Sequence, residues 1–296
     1  MNYWLHIHNT EPEHFVELAL LAEKAGFEGV VGDDHWFMPA ASGENDPNER
    51  APLPMDYIQC DSLIAGAAVL ARTRTLKFGT CVMVLANRTN PLIVAKAAST
   101  LAGLGGDRFI LGVGIGWMKD EYAVAGIDFG TRAARMAEMI EILRKLWGPS
   151  PVEHHGRFFD FPPTYALPAP RLPIPIYIGA VAPAALRRAG RIGDGWMGMT
   201  SSLDSLPAQI EQINEGRREA GRERAPFEFM VGLSRRSDGT LPGAADYERA
   251  AAMGITQHHV GPIEHVLGRL RVSFEEKKQF VCEFAERVIL RHRGRS

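Results

Sequence analysis

The sequence predicts an α/β fold: a (β/α)₈ TIM barrel with an insertion after helix 4, forming a single domain over residues 1–296. Three observations predict it. Short apolar runs alternate with amphipathic stretches of helical period along nearly the whole chain, and eight such pairs can be counted. The apolar runs show no regular alternation of polar and apolar residues, which is typical of parallel strands buried on both faces. A length of 296 residues suits one barrel of this kind.

The eight pairs follow one another in order. The apolar runs, rich in Val, Ile, Phe and Gly, predict strands over residues 3–8, 28–32, 76–84, 108–113, 174–179, 195–199, 227–233 and 255–260. The amphipathic stretches predict helices over residues 12–25, 56–71, 91–104, 131–147, 183–191, 206–220, 243–253 and 263–290.

Local signals support several helix boundaries. In the first helix Phe15, Leu18 and Ala22 share one face, and Gly26 ends it. The third begins at Pro91, a residue suited to a first helical turn. After the fourth helix, residues 148–173 are rich in proline and aromatic residues and interrupt the alternation, so they predict the insertion. A long polar loop over residues 33–55 follows the second strand.

Composition excludes several classes of partner. A formal net charge of −2 predicts no basic face, so neither nucleic acid nor an anionic membrane is expected to bind. Cys60, Cys81 and Cys282 show no paired spacing, which favours a reducing compartment over a disulfide scaffold or a zinc site. The first residues do not read as a signal peptide, and no apolar stretch has the length of a membrane span. We therefore expect a cytoplasmic protein.

In this fold, active sites are built by the loops that follow the strands. Asp34 and His35 follow the second strand; a histidine titrates near neutrality, and an adjacent carboxylate can orient it for proton transfer. Residues 111–117 (LGVGIGW) alternate glycines at the end of the fourth strand, where a flat ring could approach the backbone closely. Trp117 at its tip predicts a stacking surface. These residues are the first candidates for the site.

A second hypothesis is a metal-dependent barrel hydrolase. It starts from His6 and His8, which lie two residues apart on the first strand and could ligate a metal. That chemistry also needs ligands at the ends of the fourth, fifth and sixth strands, and the sequence has none there. We therefore predict no metal, with His6 in the core and His8 lining the pocket. Of His258 and His259, which face opposite sides of their strand, only one can reach the mouth.

Ordered motifs resemble one family. Residues 22–27 (AEKAGF) followed by Asp34-His35, and residues 108–117 (RFILGVGIGW) followed by Glu121, Gly126 and residues 131–147, resemble the luciferase-like monooxygenase superfamily. The resemblance is closest to its branch that uses the deazaflavin coenzyme F420. It continues in order through residues 155–159, 175–179 and 189–196, and it is faint beyond residue 200.

The resemblance implies roles by position. It implies a non-proline cis peptide at Cys81–Val82 supporting the cofactor ring, His35 as proton donor or acceptor, and a homodimer. The implied cofactor-binding residues are Asp34, Thr80, Cys81, Val82, Ile115, Gly116, Trp117, Gly179, Ala180, Val181 and Ala182. The residues expected to contact a small-molecule substrate are His8, Trp36 and Asn87.

One departure bears on the reaction. Sugar-phosphate dehydrogenases of this branch have a glutamate, acting as a second acid, where Trp117 stands here. We therefore predict hydride transfer between coenzyme F420 and a small, fairly apolar substrate, with reduction of a C=C or C=N bond favoured over alcohol oxidation. An FMN-dependent monooxygenase is the main alternative; a metal-dependent hydrolase and a non-catalytic cofactor-binding protein are the others. The insertion or the loop over residues 33–55 is expected to act as a lid.

Overall fold

A computed structural model describes residues 1–38, 57–269 and 271–293. Eight parallel strands close into a barrel in the order β1-β2-β3-β4-β7-β8-β9-β10, and two more strands form a separate antiparallel hairpin. The strands are β1 (Asn2–His6), β2 (Gly29–Asp34), β3 (Lys77–Val84), β4 (Phe109–Gly114), β5 (Val152–His155), β6 (Asp160–Thr164), β7 (Ile176–Gly179), β8 (Gly195–Ser201), β9 (Glu228–Leu233) and β10 (Gln257–Val260). The predicted TIM barrel is confirmed.

Helices connect the barrel strands on the outside. They are α1 (Pro12–Ala25), α2 (Ser62–Arg72), α3 (Pro91–Gly105), α4 (Lys119–Val124), α5 (Arg132–Leu146), α6 (Pro183–Ile192), α7 (Leu206–Glu219), α8 (Ala244–Ala252), α9 (Ile263–Leu267), α10 (Phe274–Phe284) and α11 (Leu290–Arg293). Short 3₁₀ turns lie at Leu85–Asn87 and Phe129–Thr131, and a π-helical turn lies at Ala285–Ile289. Within the described residues, no helix combines the length and the apolar character needed to cross a membrane.

Two apolar clusters stabilise the barrel. The larger one lies between the strands and the surrounding helices, and the smaller one fills the barrel itself. The smaller cluster contains Trp4, Val31, Cys81, Ile110, Tyr177, Met197 and Met230. Because burial of one large apolar side chain contributes about 1.5–3 kcal/mol, this interior packing is a substantial part of the stability of the barrel. It also leaves the strand ends above the cluster for polar side chains.

The helix predicted over residues 56–71 begins later than expected. Asp61 accepts hydrogen bonds from the backbone N–H groups of Leu63 and Ile64, both at 3.0 Å, so it caps a helix whose first residue is Ser62. Residues 57–60, which precede this cap, are not helical. The predicted start at residue 56 lies outside the described residues, as do residues 39–55 of the polar loop.

The single terminal helix predicted over residues 263–290 is wrong. Gly268 takes a left-handed conformation, with φ of 69°, and ends α9. Ser273 then begins α10 in a capping box, in which its hydroxyl accepts from Glu276 N–H and its own N–H donates to the Glu276 carboxylate. Two strong local signals therefore divide the segment. Residue 270, within the predicted helix, lies outside the description, as do residues 294–296.

The fourth unit carries two additions to the basic barrel. Helix α4, which the sequence pattern did not predict, lies between β4 and α5, and the predicted insertion contains the hairpin β5–β6. Glu138 of α5 accepts hydrogen bonds from the N–H groups of Phe158 and Phe159, and His154 lies 3.3 Å from the same carboxylate. The hairpin is thus anchored to α5. The lid expected of the loop over residues 33–55 falls mostly on residues 39–55, which lie outside the described part of the chain.

Candidate active site

The Cys81–Val82 peptide bond is cis, as the family resemblance implied. The register between β3 and its neighbours β2 and β4 shifts at this point. The side chain of Val82 lies against the ends of two other strands: a Cβ atom added to Gly114 would be 2.6 Å from Val82 Cγ2, and one added to Gly179 would be 3.0 Å from Val82 Cγ1. Glycines at both positions therefore give Val82 room to form a half-buried apolar platform at the barrel mouth.

Neighbouring predicted residues hold this platform in place. Thr80 is fully buried, and its hydroxyl donates to the carbonyl of Gly112 at 2.6 Å, which ties β3 to β4. The carbonyl of Ile115 accepts a hydrogen bond from the Tyr122 hydroxyl. Gly116 has a positive φ of 68°, so the chain turns sharply there before Trp117.

The end of β7 forms the adjoining wall. Ala180 is buried, and its carbonyl accepts a hydrogen bond from Trp196 Nε1 at 2.9 Å. The carbonyl of Ala182 accepts from the N–H groups of Ala185 and Leu186 in the first turn of α6. Val181 between them is exposed. Three of the four predicted residues at this strand end are thus fixed by packing or hydrogen bonds, while the Val181 side chain remains accessible.

A buried carboxylate that the sequence analysis did not assign to the site organises the loop after β2. Glu121, in α4, is fully buried. Its Oε1 atom lies 3.2 Å from His35 Nδ1 and accepts a hydrogen bond from the backbone N–H of Trp36 at 2.7 Å; its Oε2 accepts from Asn87 Nδ2 at 3.3 Å. Glu121 therefore gathers His35, Trp36 and Asn87 into one cluster. The only signal in the sequence was its place in the family motif.

Glu121 controls the charge of His35. Burial alone would lower the pKa of His35, but the hydrogen bond and the negative charge of Glu121, together with the charges of Asp33 and Asp34, outweigh burial and raise it. Because Nδ1 donates to a carboxylate, Nε2 is the ring nitrogen that can exchange a proton with a ligand. The Trp117 ring lies edge to face against His35, with 5.6 Å between centroids.

The expectation for Asp34 holds in part: its charge helps to raise the pKa of His35, but Glu121 and not Asp34 is the carboxylate that lies at hydrogen-bond distance from the ring. Asp34 instead forms a salt bridge with Arg88, which follows β3. Burial is the main cause that raises the pKa of Asp34 to about 6, and Arg88 partly offsets it. The Arg88 guanidinium also lies 5.3 Å from the ring centre of Trp36. Arg88 was missed because nothing local marks it as part of the site.

The inward-facing histidines form a buried chain below the mouth. His6 Nδ1 lies 3.2 Å from His8 Nδ1, and His6 Nε2 lies 2.9 Å from His259 Nδ1. His259 Nε2 lies 2.5 Å from the carbonyl oxygen of Gly198. His258 faces the other side and packs on Tyr3 and Tyr247, so only His259 is directed into the barrel, as predicted.

These contacts bear on the metal-hydrolase alternative. Both ring nitrogens of His6 are already engaged by other histidines. Within residues 1–38, 57–269 and 271–293, no group of three or more His, Cys, Asp or Glu side chains is arranged to hold a metal ion. The described geometry gives this alternative no support.

Comparison with known proteins identifies the family. The luciferase-like monooxygenase family model matches residues 3–259. An uncharacterised protein of Mycobacterium tuberculosis is 36% identical over 287 residues, covering 95% of this chain and 96% of that protein. An F420-dependent glucose-6-phosphate dehydrogenase of Gordonia bronchialis is 32% identical over 228 residues, covering 75% of this chain and 63% of that enzyme.

A solved structure shares the fold. The coenzyme F420-dependent tetrahydromethanopterin reductase of Methanopyrus kandleri superposes with a TM-score of 0.73 at 17% identity, covering 98% of this chain and 99% of that one. The family model matches most of the chain. The residues of the cis peptide bond, the Val82 platform and the Glu121–His35 pair all lie within the matched range. The chain belongs to the luciferase-like monooxygenase family.

Proposed function

We propose that this protein is an F420-dependent oxidoreductase that transfers a hydride between the deazaflavin and a small, fairly apolar organic substrate, favouring reduction of a C=C or C=N bond. The observation that carries the proposal is that two neighbouring strand ends bear an apolar platform, Val82 of β3, and a histidine after β2 whose pKa is raised by a buried carboxylate. The dehydrogenase named among its relatives, which is F420-dependent, supports the choice of cofactor.

The residues at the mouth suit a flat, polar-edged ring. Val82 offers an apolar face, and the strand ends at Gly114 and Gly179 carry no side chain that would block approach to it. Asn87 Oδ1 is buried and lacks a hydrogen-bond partner among the described residues, so it can accept from a bound ligand. The deazaflavin, when bound there, supplies hydride exchange at its ring carbon.

The protein's own contribution is control of the proton and of water. Glu121 orients His35 and raises its pKa, so His35 donates a proton from Nε2 to the substrate atom next to the one that accepts the hydride. Trp117 places an indole beside His35 in the position where a carboxylate would favour alcohol oxidation. The resulting pocket favours an apolar acceptor with a polarised double bond.

Cofactor binding and turnover test this proposal together. Fluorescence titrations should show binding of oxidised F420 much tighter than that of FMN. Reduced F420 should be oxidised in the presence of cyclohex-2-en-1-one, a compact C=C acceptor, with formation of the saturated ketone. In His35→Gln, F420 binding should persist while kcat falls by about 10²–10⁴-fold, the usual contribution of a general acid. Preferential FMN binding with oxygen consumption would instead establish the monooxygenase alternative.

The homodimer implied by the family resemblance is part of the proposal. Sedimentation equilibrium of the F420-loaded protein at micromolar concentration should give twice the mass of the 32.6 kDa chain. A mass equal to one chain over this range would contradict the dimer and would leave the proposed chemistry untouched.

A further inference from the structure

The hydrogen atoms of the buried histidine chain can be assigned from one fixed end. The Gly198 carbonyl oxygen can only accept, so His259 Nε2 must carry the hydrogen between them. A neutral imidazole has one N–H, so His259 Nδ1 is an acceptor and His6 Nε2 carries the next hydrogen. By the same reasoning His6 Nδ1 accepts, and the hydrogen of His8 lies on Nδ1.

The assignment requires all three rings to be neutral. Burial lowers the pKa of His6 and of His8, and it lowers the pKa of His259 to about 4. Each ring therefore carries a single hydrogen at neutral pH. The hydrogen bond to Gly198 fixes the tautomer of His259, which fixes that of His6 and in turn that of His8.

The consequence is a buried lone pair, on His8 Nε2, that no described residue satisfies. His8 Nε2 carries no hydrogen and has no hydrogen-bond partner among the described residues, although His8 is only 6% exposed. A buried acceptor left unpaired costs about 1–3 kcal/mol. The cost is recovered when a ligand brings a donor to this atom.

The position of His8 directs that lone pair toward the ligand site. His8 follows the end of β1, and its Nδ1 faces His6 beneath it, so Nε2 lies on the opposite side of the ring, toward the barrel mouth. The Tyr57 ring borders it, with 5.7 Å between centroids. His6 in turn lies 3.8 Å from the sulfur of Cys81, which precedes the Val82 platform. The chain of histidines therefore adjoins the proposed cofactor site.

We propose that His8 Nε2 accepts a hydrogen bond from a hydroxyl or N–H group of the substrate, and that His6 and His259 are positioning residues that fix His8 in the accepting tautomer. The inference rests on the proposed function, because it places the substrate at the same barrel mouth. It adds a preference: a substrate that carries a hydrogen-bond donor in addition to its apolar body binds more tightly than a compound that only accepts hydrogen bonds at this point, such as cyclohex-2-en-1-one.

Nitrogen NMR tests the tautomer directly. In long-range ¹H–¹⁵N spectra of the ¹⁵N-labelled protein at pH 7, the His8 ring, assigned by its absence in His8→Gln, should show a protonated Nδ1 and an unprotonated Nε2. In His259→Phe the anchor is lost, and His8 should shift toward the Nε2–H form. The matched control is His258→Phe, one residue away on the same strand but outside the chain, which should leave the His8 tautomer unchanged. A protonated Nε2 in the unaltered protein would overturn the inference without any variant.

A pair of ligands tests the acceptor role. Cyclohexanol and cyclohexanone have the same carbon skeleton, but only the alcohol donates a hydrogen bond. In the F420-loaded enzyme, cyclohexanol should move the His8 Nε2 resonance and bind about tenfold more tightly than the ketone, as one hydrogen bond implies; His8→Phe should abolish that preference. An Nε2 resonance that responds to neither compound, or equally to both, would contradict a substrate role for His8.

The two proposals fail in different ways. The tautomer can be read in the cofactor-free protein, so a correct tautomer without F420 binding or turnover would reject the proposed function alone. F420-dependent reduction with His8 protonated at Nε2 would reject the donor preference alone.

Discussion

The hydrogen bond between His35 and Glu121 determines both the orientation and the charge of the histidine. Glu121 is fully buried and accepts two further N–H groups from the site, so its carboxylate is held in one position. A fixed carboxylate beside a buried histidine favours the imidazolium, which is the form that donates a proton during reduction. Replacing the charge without changing the shape should therefore move the pH dependence of the reaction.

Glu121→Gln makes that change. Because His35 has a raised pKa, reductive turnover should be high at acidic pH and fall as pH rises through that pKa. Glu121→Gln removes the negative charge that most strongly opposes the effect of burial, so the pKa of His35 should fall and kcat/KM should begin to decrease at a lower pH. The measurement is the pH profile of F420H2 oxidation. Glu138→Gln, which alters a carboxylate–histidine contact on the hairpin, is the control and should keep the original profile. An unshifted profile in Glu121→Gln would show that Glu121 does not set this pKa.

Among the individual site residues, the sequence predicted His35 but not its partner Glu121. Asp34-His35 could be recognised because both follow a barrel strand, where this fold builds its sites. The partner of His35 could not, because Glu121 reaches it only after β2, β4 and α4 have packed together. Similarly, the pairing of Asp34 with Arg88 joins two loops that are distant in the chain. Tertiary contacts of this kind leave no periodic signal.

Glycines at the ends of β4 and β7 shape the site through the atoms they lack. Val82 has a branched, stiff side chain, so it cannot readily move away from a new methyl group. The position of the platform therefore depends on Gly114 and Gly179, two residues that make no side-chain contact of their own.

Gly114→Ala should disturb the platform. The added Cβ would lie 2.6 Å from Val82 Cγ2, so Val82 must shift, and the Kd for F420 should rise at least about tenfold in fluorescence titrations. The matched control is Gly103→Ala in α3, an exposed position where an added Cβ meets nothing within 4 Å. There the free energy of unfolding should increase by about 0.5–1 kcal/mol, because alanine favours the helix, with no effect on the Kd. Equal Kd values for both variants would refute the platform.

The order of elements was predictable, while some boundaries were not. All eight barrel strands lie where the apolar runs predicted them, because buried parallel strands need such runs. The break between α9 and α10 is marked locally by Gly268 and Ser273. The prediction of one long helix missed it because it relied on apolar periodicity alone. The sequence pattern indicates the hairpin β5–β6 only weakly, because its strands are short and their position depends on a tertiary contact with Glu138 of α5.

At the scale of the whole molecule, the barrel holds buried polar atoms, such as Asn87 Oδ1 and His8 Nε2, that have no hydrogen-bond partner among the described residues and that a ligand can satisfy. A ligand that binds only the folded protein stabilises it by mass action, by about 2.7 kcal/mol at one hundred times its Kd. If the site is built for the deazaflavin, F420 should raise the melting temperature by several degrees at saturating concentration. Thermal unfolding with equal concentrations of F420 and FMN measures this difference. A larger shift with FMN would contradict the cofactor assignment.

The packed interior of the barrel has a kinetic consequence. Trp4, Tyr177, Met197 and Met230 fill the barrel beneath the strand ends, so in the described part of the chain both ligands reach the Val82 platform through the same mouth. The cofactor rests on Val82 and the substrate binds beside it behind the same entrance, so the two molecules cannot exchange independently. Steady-state kinetics should follow a compulsory order through a ternary complex, in which the ligand nearest Val82 enters first and leaves last.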